Sequence, residues 1–225
     1  MNPTDESYRD WKERNLPWIE VFFRRPDDDV ERWLAFQIDR ERDKISFGTL
    51  YLLRRELVET GFSVEKIQPE SVFSARPLEK RPFASTMLTC TGIDLLGKFL
   101  AGHDADDDRN QKCQSRNGQR FKAFCKRFLH ISEEEMLWEL RNSMMHSFGL
   151  YLSARTNRTY RLTSDLDGQV VKRIEGENWQ ISASSLYWAF IAGVEEYEQA
   201  VRANYRLEEN FARMFPKYGT LEMTR

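Results

Sequence analysis

Phe121-Lys122-Ala123-Phe124-Cys125-Lys126-Arg127-Phe128 sets apolar side chains at i, i+3, i+4 and i+7, the spacing of one helical face. Taking ~100° per residue, Arg120, Lys122, Lys126 and Arg127 fall on the opposite arc. The stretch Gln119–Phe128 therefore reads as an amphipathic helix, apolar toward a core and basic toward solvent. The same period continues on both sides. Downstream, Ser132 and Glu135 have the spacing of a capping box, and Glu133–Glu135 suit the positive end of a helix dipole. That second helix is expected to run to about Ser147, with Gly149 as its stop. Upstream, Phe83–Ala101 carries a wide apolar stripe of Leu88, Ile93, Leu96, Phe99 and Leu100 and ends at Gly102.

Farther out the pattern holds at one end and changes at the other. Asp27–Gly61 reads as helical in two pieces. Val30, Trp33, Leu34 and Ile38 mark the first; Leu50, Leu53, Leu57 and Val58 mark the second, with Ser46 as its N-cap. Phe62–Pro82 holds Pro69, Pro77 and Pro82 and no sustained period, as a long connection would. Leu150–Thr163 and Gln169–Ile181 are richer in Tyr, Thr, Val and Ile and flank Asp165-Leu166-Asp167-Gly168, the pattern of a β-hairpin. Ser184 or Ser185 then caps a last long helix to about Met214. The expected fold is all-α, an up-and-down helical bundle with a small β-hairpin insert before the C-terminal helix. It forms a single domain over residues 1–225, with its core at about 27–149 plus 184–214 and the hairpin at about 150–182.

The chain's 225 residues suit one domain, since domains hold about 100–200 residues. At 40% hydrophobic and 31% charged it is neither a disordered tail nor a disulfide scaffold. Cys90, Cys113 and Cys125 are odd in number, far apart and without a CxxC pair, which fits a reducing, cytoplasmic setting. No segment has the roughly 18 uninterrupted apolar residues of a membrane span, so no membrane partner is expected. Met1–Asp10 is polar and acidic, unlike a secretory signal.

A formal charge of −2 argues against coating nucleic acid by bulk charge. The charge is unevenly divided, however. Arg109–Ser164 holds eleven Lys and Arg against four Glu, a net of +7. Arg116, Arg120, Lys122, Lys126, Arg127, Arg155 and Arg158 are the candidate RNA-binding residues of that stretch. Inside it lies Glu139-Leu140-Arg141-Asn142-Ser143-Met144-Met145-His146. Asn142 and His146 are i and i+4 and share a face. Arg141 stands ~140° from His146, taking ~100° per residue. A cation, an amide and a titrating imidazole at a helix end suit a phosphodiester: Arg for developing negative charge, His for proton transfer, Asn to orient. No metal is required. The competing reading is a core-facing histidine beside a surface arginine.

Arg141-Asn142-x3-His146 resembles the Arg-polar-x3-His signature of the HEPN superfamily. Thr91-Gly92-Ile93-Asp94-Leu95-Leu96-Gly97-Lys98-Phe99-Leu100 resembles the earlier long helix of many bacterial HEPN proteins. The resemblance covers about Thr86–Tyr151. It implies a helical bundle that forms a homodimer, with paired motif helices building one composite cleft. It further implies a metal-independent endoribonuclease without cofactor, of toxin–antitoxin or anti-phage defence type, with an antitoxin or other regulatory protein as a further partner. Arg141 and His146 would be catalytic and Asn142 supporting. The alternative is a non-catalytic HEPN-like module binding RNA, a nucleotide or a partner protein.

Two further patterns carry less. Asp104-x-Asp106-x-Asp108-x-Asn110 imitates the start of a calcium loop, but Arg109 stands where Gly is wanted and Ser115 where a bidentate Glu is wanted. His103-Asp104 resembles a metal-hydrolase dyad, with only His130 and His146 left as further histidines. Neither a GxxxxGK[ST] phosphate loop nor a GxGxxG fingerprint is present, which disfavours standard nucleotide folds.

Overall fold

The helix boundaries follow from a few backbone-competent residues. The computed structural model describes residues 16–24, 38–39, 44–61, 81–104, 114–147, 159–166, 168–176 and 178–224. A helical segment at 16–23 (α1) is followed by strands β1 (Ile38–Asp39) and β2 (Lys44–Gly48). Next come α2 (Thr49–Val58), α3 (Pro82–Ala101), α4 (Gln114–Phe128) and α5 (Glu134–Ser147). The chain continues through β3 (Thr159–Thr163), β4 (Val171–Arg173) and β5 (Asn178–Ser182). It ends with α6 (Ala183–Ala203), α7 (Tyr205–Tyr218) and β6 (Thr220–Thr224). α3 opens on Pro82, whose missing N–H costs nothing in a first turn. It closes at Gly102 in the left-handed region (φ 70°), whose N–H donates to the Lys98 carbonyl. Asn210 Nδ2 satisfies another terminal carbonyl, Leu100 O, at 2.9 Å.

The core lies where α1, α3, α4, α6 and α7 converge. Phe22 stands 4.5 Å from Phe99 and 5.3 Å from Phe211 between ring centroids, while Tyr197 contacts Phe23, Phe124 and Phe128. Such rings bury the largest apolar areas and add edge-to-face attraction. All the apolar positions read on α4, Phe121, Phe124, Cys125 and Phe128, are buried. The basic helix is thus anchored to the centre of the fold. Burial pushes the Cys90 and Cys125 thiols well above their ordinary range, so both are inert apolar fillers.

The fold is mostly helical, but it is not all-α. Two three-stranded sheets flank the helices, in orders β1-β2-β6 and β3-β5-β4. The first was not expected. Lys44–Gly48, including the expected cap Ser46, is a strand paired antiparallel to Thr220–Thr224 from the other end of the chain. Gly48 stands at the N-cap of α2 in extended conformation. Non-local pairing overrode a local helical reading.

The expected hairpin is also rearranged. β3 and β4 are not neighbours: β5 lies between them, parallel to β3 and antiparallel to β4. The tight return is at Gly176 (φ 57°), between β4 and β5. The segment around Gly168 instead crosses from one sheet edge to the other.

Three caps differ as well. Ser182, not Ser184 or Ser185, caps α6, its Oγ accepting from the Ser185 N–H at 3.1 Å. Ser184 Oγ donates to the Ser164 carbonyl at 2.6 Å. The last helix is two helices, because the Asn204 side chain accepts from the Arg206 and Leu207 N–H groups and starts α7. Ser132 Oγ donates to the Glu133 carboxylate at 2.6 Å, and α5 begins at Glu134. Ile38, read as the last apolar position of the first expected helix, is instead in β1, paired antiparallel to Ile45 of β2. The rest of that expected helix (27–37), the connection 62–80, most of the acidic loop and the stop at Gly149 lie outside the described residues. Among the described residues no helix is long and apolar enough to cross a membrane.

Candidate functional site

α5 is fixed by Leu137, Leu140 and Met144, all fully buried at i, i+3 and i+7. Tyr160 on β3 donates its hydroxyl to Glu139 at 2.9 Å and pins the helix to the second sheet. Arg141 follows the inward Leu140, so its side chain lands against α3. Its Nε donates to Asp94 Oδ2 at 2.7 Å, and its Nη2 donates to the same oxygen. Its Nη1 donates to Asn142 Oδ1 at 3.1 Å. The guanidinium carbon lies 5.1 Å from the centroid of Trp138, one turn earlier on α5. A carboxylate, an amide and an aromatic ring thus all hold one guanidinium.

That ring is itself held. Trp138 stands 5.4 Å from Phe121 between centroids. Its indole also lies over Gly118, where a Cβ would come within 3.0 Å of Nε1. Gly118 is therefore small because the indole passes over it. The Arg141 and Asp94 side chains are 19% and 20% exposed, so the pair is shielded without being sealed. Burial pushes the Asp94 carboxyl above its ordinary range, against the pull of Arg141 and the weaker pulls of Lys98 and Arg120. Lys98, one turn along α3, is lowered by burial and sits 4.2 Å from the Tyr218 centroid.

His146 is placed differently. It is exposed in the last turn of α5 and has no hydrogen-bond partner among the described residues. Five residues separate it from Arg141, an axial rise of about 7.5 Å. Within one chain Arg141 and Asn142 are hydrogen-bonded to one another, and His146 is bonded to neither.

The basic residues divide. Lys126 and Arg127 are exposed, with Arg127 over the Phe128 ring at 5.0 Å. Lys122 is half-buried and pairs with Glu135 at 2.6 Å. Arg120 does not lie on the open face. It is only 6% exposed, because its position stands ~40° from Phe124, at the margin of the apolar stripe. Its Nη1 lies 3.2 Å from His103 Nδ1. Arg116 belongs to α4, while Arg155 and Arg158 lie outside the described residues.

Asp94 and His103 are contributors that no sequence pattern pointed to in these roles. Asp94 stands 47 residues from Arg141, and nothing local links them. The arrangement offers chemistry of a definite kind: a pre-oriented guanidinium in a half-shielded setting, and an exposed imidazole on the same helix. Guanidinium suits phosphate oxygens, and imidazole suits proton transfer near neutral pH. No family model, curated protein or solved structure matches the chain.

Proposed function

We propose that the protein is a metal-independent endoribonuclease of HEPN type, acting at a site that two copies of the chain build together. The observation that carries this reading is the contrast on α5. Arg141 is held by Asp94, Trp138 and Asn142, while His146 stands exposed and unbonded ~140° round the helix, at ~100° per residue. A guanidinium turned to the bundle and an imidazole turned outward act together most readily when a second copy brings its own α5 alongside. In the proposed reaction the ribose 2′-hydroxyl attacks the adjacent phosphorus, and the P–O5′ bond breaks. His146 takes the proton from the attacking hydroxyl, and an imidazolium, from the same or the second copy, returns one to the leaving oxygen. Arg141 stabilises the charge on the non-bridging oxygens. The products are a 2′,3′-cyclic phosphate and a 5′-hydroxyl, and DNA, without the hydroxyl, is not cut.

The competing reading, a module that binds RNA, a nucleotide or a partner protein without cleaving, is favoured by one fact. Asp94 already occupies the Nε edge of Arg141. The deciding experiment is cleavage of a mixed RNA pool in EDTA by wild type and His146→Ala. Cleavage by wild type alone supports the nuclease. Binding without cleavage by either protein supports the module, and cleavage that persists in His146→Ala or needs a divalent ion sinks the mechanism.

A further inference from the structure

The hydrogen bonds of Arg141 do not by themselves fix its guanidinium. A carboxylate that meets a guanidinium with both oxygens fixes its plane through two parallel bonds. Asp94 meets Arg141 with one oxygen, Oδ2, which takes both the Nε and the Nη2 donor and so acts as a pivot. Asn142 Oδ1 adds a second point at Nη1, 3.1 Å away. Two points leave one rotation, and the group can tilt about the line joining them as its flexible stem adjusts. Trp138 supplies the third restraint. The guanidinium carbon stands over its ring, 5.1 Å from the centroid, and a tilt carries the cation off the negative face of the ring. A guanidinium has five N–H bonds, and the three donations leave one on Nη1 and one on Nη2 without a partner among the described residues.

The ring in turn takes its place from α4. Phe121 packs against it at 5.4 Å between centroids, with the planes 54° apart. Gly118, three residues earlier on the same face of α4, is the seat of the indole. A Cβ there would stand 3.0 Å from both Cε2 and Nε1, and the position is buried. Alanine would therefore push the indole by a few tenths of an ångström, and a larger residue would drive it from its seat. Trp138 and Arg141 are themselves i and i+3 on α5, so they face one another. A continuous contact thus runs from the α4 backbone through the indole to the guanidinium. Arginine is suited to its end of that contact, because its weakly hydrated planar group stacks on aromatic faces.

We propose that Trp138 is a positioning residue for Arg141: seated on Gly118, its ring fixes the guanidinium so that the two remaining N–H groups hold one direction for the oxygens of a phosphate. The phosphate in this statement rests on the nuclease reading, whereas the fixing of the guanidinium does not. Trp138 acts through Arg141 and not on the reacting atoms.

The test reads Arg141 directly by arginine side-chain NMR of the full chain, with Arg141→Lys assigning its signals. A fixed guanidinium shows separate Nη proton signals, and a freely turning one shows a single averaged signal. Wild type and Trp138→Phe, which keeps an aromatic face, should show them separate. Trp138→Leu, which keeps an apolar side chain without that face, should show them averaged. Gly118→Ala leaves the ring chemistry intact but pushes the indole, and it should shift the Arg141 signals from α4. In the RNA cleavage assay Trp138→Leu should lose about tenfold in kcat with KM nearly unchanged, roughly the worth of a partly shielded cation–π contact, and Trp138→Phe should lose less. Separate Nη signals in Trp138→Leu, averaging that is the same in Trp138→Phe and Trp138→Leu, or Arg141 signals that stay still in Gly118→Ala would each overturn the proposal. Should Trp138→Leu fail to fold, Gly118→Ala decides it. A wild type that cuts no RNA while the NMR pattern holds would count against the nuclease alone.

Discussion

The Asp94 carboxylate on α3 and the Arg141 guanidinium on α5 meet through two donors on one oxygen, 47 residues apart in sequence. The pair fixes which edge of the guanidinium remains available and couples the motif helix to the centre of the bundle. In the proposed reaction Asp94 is a positioning residue. Asp94→Asn keeps the shape and removes the charge. It should lower cleavage by about 10- to 100-fold, the worth of a hydrogen bond between charged groups. Arg141→Ala should abolish it. Circular dichroism checks that both variants fold, and a fall in kcat with KM nearly unchanged separates positioning from lost substrate binding.

The same carboxylate gives a stability signature. Burial raises the Asp94 pKa in the folded state above its ordinary value. The folded protein then holds this proton to higher pH than the unfolded chain does. The contribution is complete below the ordinary aspartate range, near pH 3.8, and is lost as pH rises through the raised folded value. Asp94→Asn lacks the term. Urea denaturation from pH 3 upward should show wild type losing stability relative to Asp94→Asn as pH rises through that window. A difference that moves the other way would mean that Arg141 outweighs burial.

His146 tests function apart from stability. It is exposed and unbonded among the described residues, and surface changes of this kind stay within about 0.5 kcal/mol. His146→Ala should therefore leave the denaturation midpoint nearly unchanged while abolishing cleavage. A variant that unfolds would show that the histidine has a structural role.

What the sequence disclosed divides along local and non-local lines. The apolar stripe of α4 was readable because helical spacing alone produces it, and each residue of that stripe is buried. The bounds of α5 were legible to within two residues for the same reason. Arg120 was grouped with the open face although its angle puts it only ~40° from Phe124, at the margin of the apolar stripe; Gly97 lets α3 come close enough to cover it. β2 was hidden because its partner, Thr220–Thr224, comes from the far end of the chain. The order of the second sheet failed likewise, since composition marks strands without naming their neighbours. In the site, Arg141, Asn142 and His146 stood out as a spacing, whereas Asp94 was invisible as the partner of Arg141.

The close approach of α3 and α4 can be tested directly. A Cβ at Gly97 would meet the Arg120 carbonyl oxygen at 2.9 Å, and backbone cannot step aside as a flexible side chain can. Gly97→Ala gains helix propensity, worth about 1 kcal/mol, but the clash should outweigh it. Overpacking costs typically 1–3 kcal/mol. The net expectation is a loss of up to about 2 kcal/mol in urea denaturation, with the Arg120–His103 contact disturbed. A Gly97→Ala protein more stable than wild type would show that the two helices can separate without cost.

Tyr197 gives the opposite expectation. It is fully buried among Phe23, Phe124 and Phe128, and its hydroxyl has no hydrogen-bond partner among the described residues. Burial pushes its pKa far above the ordinary phenol range, so the group stays neutral. An unsatisfied buried hydroxyl carries a desolvation cost of about 1–3 kcal/mol. Phenylalanine keeps the ring, its edge-to-face contacts and nearly all of its volume while removing that cost. The space the oxygen leaves offsets part of the gain, because a void forfeits dispersion contacts. Tyr197→Phe should therefore raise stability by about 1 kcal/mol and leave RNA cleavage unchanged. Urea denaturation measures the first and the cleavage assay the second. A destabilised Tyr197→Phe would mean that the hydroxyl finds a partner, such as a buried water, in the heart of the aromatic core.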